Sequence, residues 1–335
     1  MRILLVSNYR ESAGGISGQV KLLYEHLKRE GEEVQVFSTK GNPLMRLWLL
    51  LKLFVVASCY NVLHIHACSY WGFLPAVYGI MVGKLLQKRI VLTYHGGDGG
   101  GYFSAHPKMV RFFLTRTEKN IVLSGYLAEV FKRHKLPYVI IPNILDGNSI
   151  DQYGKRKLIR PRFISIRSLE PLYNVECILK AFELVKTEFL NAQLLVLGDG
   201  SCKATLESYV KKHQIEDVEF YGHVKNSDID KYLTQADVFL SAPIIDNQPM
   251  SILEAFRAGL LVISSRVGGV PYMIEHGVTG LMFESNNYQE LASLMISAVK
   301  NQTSSLSMIQ RAQEQLKIYS WPSIRQLLYS CYNSQ

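Results

Sequence analysis

Short apolar runs of strand length recur along the chain, and most lead through a polar or glycine-rich turn into a stretch with apolar residues at helical spacing. In the first half this pattern predicts strands at Ile3–Ser7, Glu33–Ser38, Val62–His66, Arg89–Tyr94 and Lys119–Leu123, with helices over Ser17–Glu30, Gly72–Leu86 and 107–119 and a further one capped by Ser124. In the second half it predicts strands at Arg162–Ile166, Gln193–Leu197, Val218–Tyr221 and Ala236–Leu240. Helices are expected over Val175–Glu188, Lys203–His213, Ser227–Gln235 and Ser251–Arg257, the last stopped by Gly259. From Tyr288 onward the chain reads as helices, one running through Ile318 and a final one with Ser320 as cap and Pro322 in its first turn. Strands alternating with helices predict parallel α/β sheets covered on both faces.

Composition sets the scale. A chain of 335 residues, 48% hydrophobic and 19% charged, is long enough for two well-buried domains and is not a disordered composition. Its five cysteines are scattered without C-x-x-C spacing, which points to reduced thiols and a cytoplasmic setting rather than a disulfide framework or a zinc site. The opening M-R-I-L-L-V-S reads as a strand and is too short an apolar run for a signal peptide.

Charge divides the chain unequally. Residues 1–150 hold 18 Lys and Arg against 9 Asp and Glu, whereas residues 151–335 hold 19 of each. A basic first half points to an anionic, phosphate-bearing partner. Without a helix-turn-helix, RNP or zinc-knuckle pattern, an anionic membrane surface fits better than nucleic acid, and no nucleic-acid partner is expected. The segment Pro43–Cys59 is apolar but shorter than the ~20 residues that span a bilayer, and Arg46 and Lys52 interrupt it. It reads either as a buried helix with snorkelling cations or as a surface helix dipping into a membrane, with Trp48 at the interface.

The chemistry gathers around Ser241–Phe256, S-A-P-I-I-D-N-Q-P-M-S-I-L-E-A-F, where a buried strand leads through a polar loop into a helix. Two carboxylates, Asp246 and Glu254, stand eight positions apart on that loop and helix. Amides at a helix start attract phosphate and carboxylates accept hydroxyls, so the stretch suits a ligand with both a diphosphate and sugars. In the first half, Gly14-Gly15 before the first helix allows a diphosphate close to its amides. His95 ends a strand and opens H-G-G-D-G-G-G, five glycines in seven residues, which predicts a mobile loop carrying Asp98. His64 and His66 share one strand face and read as structural, because no third metal ligand is apparent.

The order Asp246-x7-Glu254, Ala258-Gly259, V-I-S-S-R-V-G-G-V-P, H-G-V-T-G-L-M-F resembles the donor-site signature of retaining glycosyltransferases of family 4. The resemblance implies the GT-B fold, two Rossmann-like α/β/α domains facing across a cleft. It implies an N-terminal acceptor-side domain over 1–152, a linker over 153–161, a donor domain over 162–312, and a C-terminal helix over 313–335 crossing back to the first domain. By the same resemblance, I-P-N-I-L-D, residues 141–146, marks the domain junction. Glu254 would hold the ribose hydroxyls, Asp246 would sit near the transferred sugar, backbone amides over Gln248, Pro249, Met250 and Ser251 would meet the diphosphate, and Asn247 would also lie in the donor site. His95 would contact the donor sugar or transition state, with Gly14, Gly15 and Asp98 on the acceptor side and Gly15 also beside the donor phosphates. Arg167 would neutralise the leaving diphosphate, Gly198 and Gly200 would lie under the nucleotide, and His223 near its base.

The chain departs from the family pattern in three places. Asp246 replaces the usual Glu, Tyr272 stands where a Glu is common, and Leu172 and Tyr173 occupy the region of a lysine that normally assists Arg167. Lys203 or Arg266 are the cations available to substitute. The implied function is transfer of a sugar, with retention, from a nucleotide-diphosphate sugar co-substrate to a hydroxyl of a glycan or lipid-linked acceptor, in cell-surface polysaccharide or glycolipid synthesis. No metal or other cofactor is expected, and the setting is cytoplasmic or peripheral at the cytoplasmic face of a membrane. The departures leave open a degenerate GT-B module that binds nucleotide sugar, or scaffolds a complex, without turnover. A GT-B epimerase or phosphorylase is the remaining alternative.

Overall fold

The computed structural model describes residues 1–10, 15–40, 46–145 and 156–333, and omits the side chains at 46 and 47. Contacts divide the chain into two compact units, Met1–Asp146 with Ile318–Gln335, and Gly147–Lys317.

The first unit is built on six parallel strands: β1 (Arg2–Ser7), β2 (Glu33–Ser38), β3 (Val62–Ala67), β4 (Arg89–Tyr94), β5 (Lys119–Val122) and β6 (Val139–Ile140). They lie in the order β2-β1-β3-β4-β5-β6. Every residue of β3 is buried, as expected for a strand covered on both faces. The pleat sends Leu4 and Val6 into one cluster and Ile3 and Leu5 into the other. The helices are α1 (Ile16–Arg29), α2 (Arg46–Ser58), α3 (Leu74–Leu85), α4 (Gly99–Ala105), α5 (Pro107–Leu114) and α6 (Gly125–Arg133), the last capped by the Ser124 hydroxyl.

The last helix of the chain, α13 (Trp321–Asn333), belongs to this first unit. Ile324, Leu328, Cys331 and Tyr332 are buried with Val20, Leu23 and Leu27 of α1. Polar contacts fix its register. The Trp321 indole donates to Glu30 and stacks on His26, Tyr329 donates to Glu32, and Arg325 pairs with Glu30.

The second unit has strands β7 (Arg162–Ile166), β8 (Gln193–Leu197), β9 (Val218–Gly222), β10 (Val238–Ser241), β11 (Leu261–Ser265) and β12 (Leu281–Phe283), again all parallel, in the order β12-β11-β10-β7-β8-β9. That is the strand order of a dinucleotide-binding Rossmann sheet, with its switch point between β7 and β10. Helices α7 (Val175–Glu188), α8 (Lys203–Lys212), α9 (Ile229–Leu233), α10 (Met250–Arg257), α11 (Tyr288–Lys300) and α12 (Gln302–Glu314) complete the unit. Asp237, just before β10, has no exposed surface and accepts from both Arg156 and Arg160, which ties the segment entering the unit to its sheet.

One local expectation changes. The glycine-rich stretch after His95 is not all loop, since Gly99, Gly100 and Gly101 begin α4. A side chain at Gly99 would press on Leu127 and Tyr94, so packing overrides the poor helix propensity of glycine. The described part of the apolar segment, α2, is neither fully buried nor polar-faced: Leu53 and Ala57 are buried, while Leu51 and Val55 are 61% and 67% exposed. Among the described residues no helix is long and apolar enough to cross a membrane.

Candidate functional site

In open parallel sheets, ligands meet the carboxyl ends of the strands at the point where strand order reverses. In the second unit Arg167 follows β7 and Asp246 follows β10, on the two sides of that point, and their side chains form an ion pair. The Arg167 guanidinium also lies over the Tyr173 ring, 4.6 Å from its centroid. The ring comes back over the strand end because Pro171–Tyr173 form a tight turn, followed by Asn174 in the left-handed region. Burial lowers the Arg167 pKa, but a guanidinium stays charged. Its Nε, also buried, has no hydrogen-bond partner among the described residues.

Backbone bonds lock the strand-end loops to one another. Arg167 donates to Leu197, Leu169 to Asp199, Gly198 to Gly222 and Ile244 to Leu172, all at 2.8–3.0 Å. Gly198 is required by this closeness: with φ at +143°, a Cβ there would fall 1.8 Å from the Arg167 carbonyl oxygen. The same holds on the other side, where a Cβ at Gly268 would fall 1.9 Å from the Asp246 carbonyl oxygen. That oxygen accepts from the Gly269 amide at 2.9 Å, and the Asp246 carboxylate accepts from the Asn247 amide at 2.8 Å. Backbone geometry therefore holds Asp246 from both sides.

Pro249 precedes α10, and Asn247, Gln248 and Ser251 are buried around its start. Glu254 lies one turn into the helix. Burial raises its pKa, Asp230 adds to the effect, and Arg257 and Arg167 oppose it. No donor hydrogen-bonds to its carboxylate among the described residues, so it remains an open acceptor. Gly200 closes the loop beside Leu169, and His223 is exposed after β9. Of the two substitute cations, Arg266 is paired with Glu284 at 3.3 Å. The Lys203 ammonium stands beside Gly222 without a hydrogen bond or ion pair among the described residues. Tyr272 is exposed on a short turn after β11.

In the first unit strand order reverses between β1 and β3. Gly15, with φ at +60°, precedes α1, while Gly14 lies outside the described residues, as do 153–155 of the expected linker. Asp98 precedes α4 and accepts from the Tyr70 hydroxyl at 2.7 Å. His95 follows β4, and its Nε2 lies 3.0 Å from His66 Nδ1. Burial holds His95 neutral, with its pKa lowered to about 4. A pocket opens here, walled by His64, His66, His95, Gln19 and Asn143 among apolar side chains. Among the described residues no group of three or more His, Cys, Asp or Glu could hold a metal ion.

Two contributors escaped the sequence reading. Tyr173 counted only as the position of an absent lysine, although an aromatic six residues after Arg167 was the available signal. His66 counted as a structural histidine, and its contact to His95 depends on the pairing of β3 with β4.

The family described as "Glycosyl transferases group 1" matches residues 150–315. Over 90% of this chain and 82% of its own length, N-acetyl-alpha-D-glucosaminyl L-malate synthase of Bacillus anthracis is 27% identical. The phosphatidylinositol N-acetylglucosaminyltransferase polypeptide of Arabidopsis thaliana is 30% identical over 97% of this chain and 80% of that protein. Among solved structures, Anabaena HepE in complex with UDP and glucose superposes with a TM-score of 0.78, at 17% identity over all of both chains. The sucrose-phosphate synthase of Thermosynechococcus elongatus does so with a TM-score of 0.79, at 17% identity over 99% and 98% of the two chains. Two parallel six-stranded units of this kind are the GT-B architecture, and with a near-full-length relative at 30% identity the chain belongs to the glycosyl transferases group 1 family.

Proposed function

We propose that this glycosyltransferase moves a sugar, with retention, from a nucleotide-diphosphate sugar to a hydroxyl of a glycan or lipid-linked acceptor in cell-surface polysaccharide or glycolipid synthesis. The observation that carries this reading is the Arg167–Asp246 pair across the switch point of the second unit, with the open Glu254 acceptor on the adjoining helix. Departure of a diphosphate is the demanding step, and a fixed guanidinium aimed at the leaving oxygens lowers its barrier without reorganisation. Asp246 holds that guanidinium at the strand end until phosphate arrives. Glu254 accepts the ribose hydroxyls, and His95, on the pocket wall of its own unit, is the group we assign to contact with a sugar. Lys203, without a hydrogen bond or ion pair among the described residues, supplies the cation that Tyr173 does not. The degenerate-module reading rests on the missing lysine and on the Asp246 and Tyr272 departures, and a cation from Lys203 would answer the first of these.

Both relatives named above are N-acetylglucosaminyl enzymes, one named for malate and one for phosphatidylinositol, so N-acetylglucosamine is the first donor sugar to try. The test is nucleotide release from a panel of UDP-, GDP-, ADP- and dTDP-sugars with a lipid-extract acceptor. Release of one nucleotide is expected, with Glu254→Ala weakening the donor interaction by about 10–100-fold through loss of a charge-assisted hydrogen bond. Tight binding with no release from any acceptor would overturn the transferase reading.

The acceptor side carries a membrane-directed feature. On α2, Trp48, Leu51 and Val55 are all more than half exposed, and the Lys52 ammonium lies 5.2 Å over the Trp48 ring. On α3, packed beside it, Met81 and Leu85 are exposed as well. An apolar face with a tryptophan and a lysine, in the half of the chain holding the whole basic excess, fits an anionic bilayer surface. The protein is expected to sediment with phosphatidylcholine vesicles only when they contain phosphatidylglycerol. Salt and Leu51→Glu should each release it, and indifference to both would remove the membrane from this reading.

A further inference from the structure

We infer that His66 is a positioning residue for His95: it fixes the ring orientation and tautomer in which His95 meets the sugar. This rests on the role given to His95 above. The histidines of β3 and the end of β4 form a stack. His64 and His66 rings are 4.4 Å apart, and His66 and His95 rings 5.3 Å apart. The far end is anchored from two directions. His64 Nδ1 lies 2.7 Å from the Tyr332 hydroxyl of α13, and its Nε2 lies 2.8 Å from the Thr93 hydroxyl.

Only 4% of His66 is exposed, so it has almost no surface to offer a ligand and acts through what it touches. It touches His95 by the 3.0 Å contact between His66 Nδ1 and His95 Nε2. All three rings are neutral, because burial lowers every one of their pKa values, to about 3 for His64 and about 4 for His95. Between two neutral imidazoles one nitrogen must donate and the other accept, so a single proton occupies the link. The protonation of the other His95 nitrogen, Nδ1, is then coupled to that of His66 Nδ1: when His66 donates, His95 accepts at Nε2 and carries its proton on Nδ1, the kind of coupling by which second-sphere groups select the tautomer of a working histidine.

One further observation separates this from a plain core contact. His66 Nε2 is buried and has no hydrogen-bond partner among the described residues, although a buried imidazole nitrogen left unpaired is costly. His66 is thus kept at a stability cost at which an apolar residue would be cheaper, and the group that gains is its neighbour on the pocket wall.

The test uses the full chain with the donor that the nucleotide panel identifies. His66→Leu is expected to lower kcat by about 10²-fold with the donor KM nearly unchanged, the scale of a misplaced catalytic group. His66→Asn, whose side-chain amide can still bond His95, is expected to recover most of it. In a His95→Ala background, His66→Leu should lower kcat no further. Nitrogen-15 spectra of the imidazoles give a readout independent of activity: His95 should be one tautomer in the wild type and a mixture in His66→Leu. Unchanged kcat in His66→Leu, a full additional loss in the double variant, or a mixture of His95 tautomers in the wild type would overturn the proposal. If His95→Ala itself leaves kcat intact, the reading of His95 fails and the positioning role falls with it. The spectra would still show whether His66 fixes the ring, which separates the two failures.

Discussion

Replacing Arg167 with alanine is expected to lower turnover by about 10²–10³-fold, the range for removing one preorganised donor from developing charge. The guanidinium is held by three things that alanine cannot reproduce: the strand end of β7, the Tyr173 ring beneath it and the Asp246 carboxylate beside it. Arg167→Lys should recover only part of the loss. An ammonium is a point charge that cannot both lie flat on the ring and present a fork to phosphate. Tyr173→Phe keeps the ring face and should keep most activity, whereas Tyr173→Leu removes the face and should resemble a mild form of Arg167→Ala. The measurement is kcat for nucleotide release on folded protein, checked by circular dichroism. A fall of less than about tenfold in Arg167→Ala would place Arg167 away from the developing charge and leave the ion pair as a structural feature.

Asp237→Ala should be the most damaging substitution for stability. Its carboxylate is fully buried and receives Arg156 and Arg160, and Arg156 also donates to the Gly259 carbonyl at 2.7 Å. Removing the acceptor strands the mostly buried Arg156, whereas the half-exposed Arg160 turns to water, so the cost is at most the roughly 3–5 kcal/mol of breaking a buried pair. For a unit of this size each kcal/mol lowers Tm by about 2–4 °C, so the transition should fall by at most roughly 6–20 °C. Asp237→Asn keeps the acceptor oxygen and should cost less. Differential scanning calorimetry reads the effect, and a shift below about 2 °C would mean that the two guanidinium groups find water or another acceptor when Asp237 is gone.

These two side chains also show what sequence can and cannot convey. Many of the strands were legible because a strand buried on both faces is an uninterrupted apolar run, as in Ile3–Val6 of the first strand. Asp237 is the lone charge in A-D-V-F-L, but its partners lie 77 and 81 positions away, and no local pattern names them. The Arg167–Tyr173 stack depends on the tight turn Pro171–Tyr173 bringing the ring back over the strand end, a conformation that the local sequence permits without announcing. The glycine run after His95 misleads in the opposite sense. Composition favours a loop, whereas the need to pass close to Tyr94 and Leu127 makes small residues suitable for a helix start. Legibility ends where a role depends on which strands become neighbours.

The first unit is assembled from both ends of the described chain, since α13 seals the cluster that β1 and α1 begin. The second unit, by contrast, is one continuous stretch. On the ribosome the order of completion is therefore inverted. Residues made first must wait, with part of the cluster between α1 and the sheet uncovered, until α13 follows, while the later unit draws only on its own continuous stretch and can close. Tyr332, which anchors the histidine stack, is among the last of the described residues to emerge. The histidine arrangement is consequently finished only when nearly the whole described chain has been made.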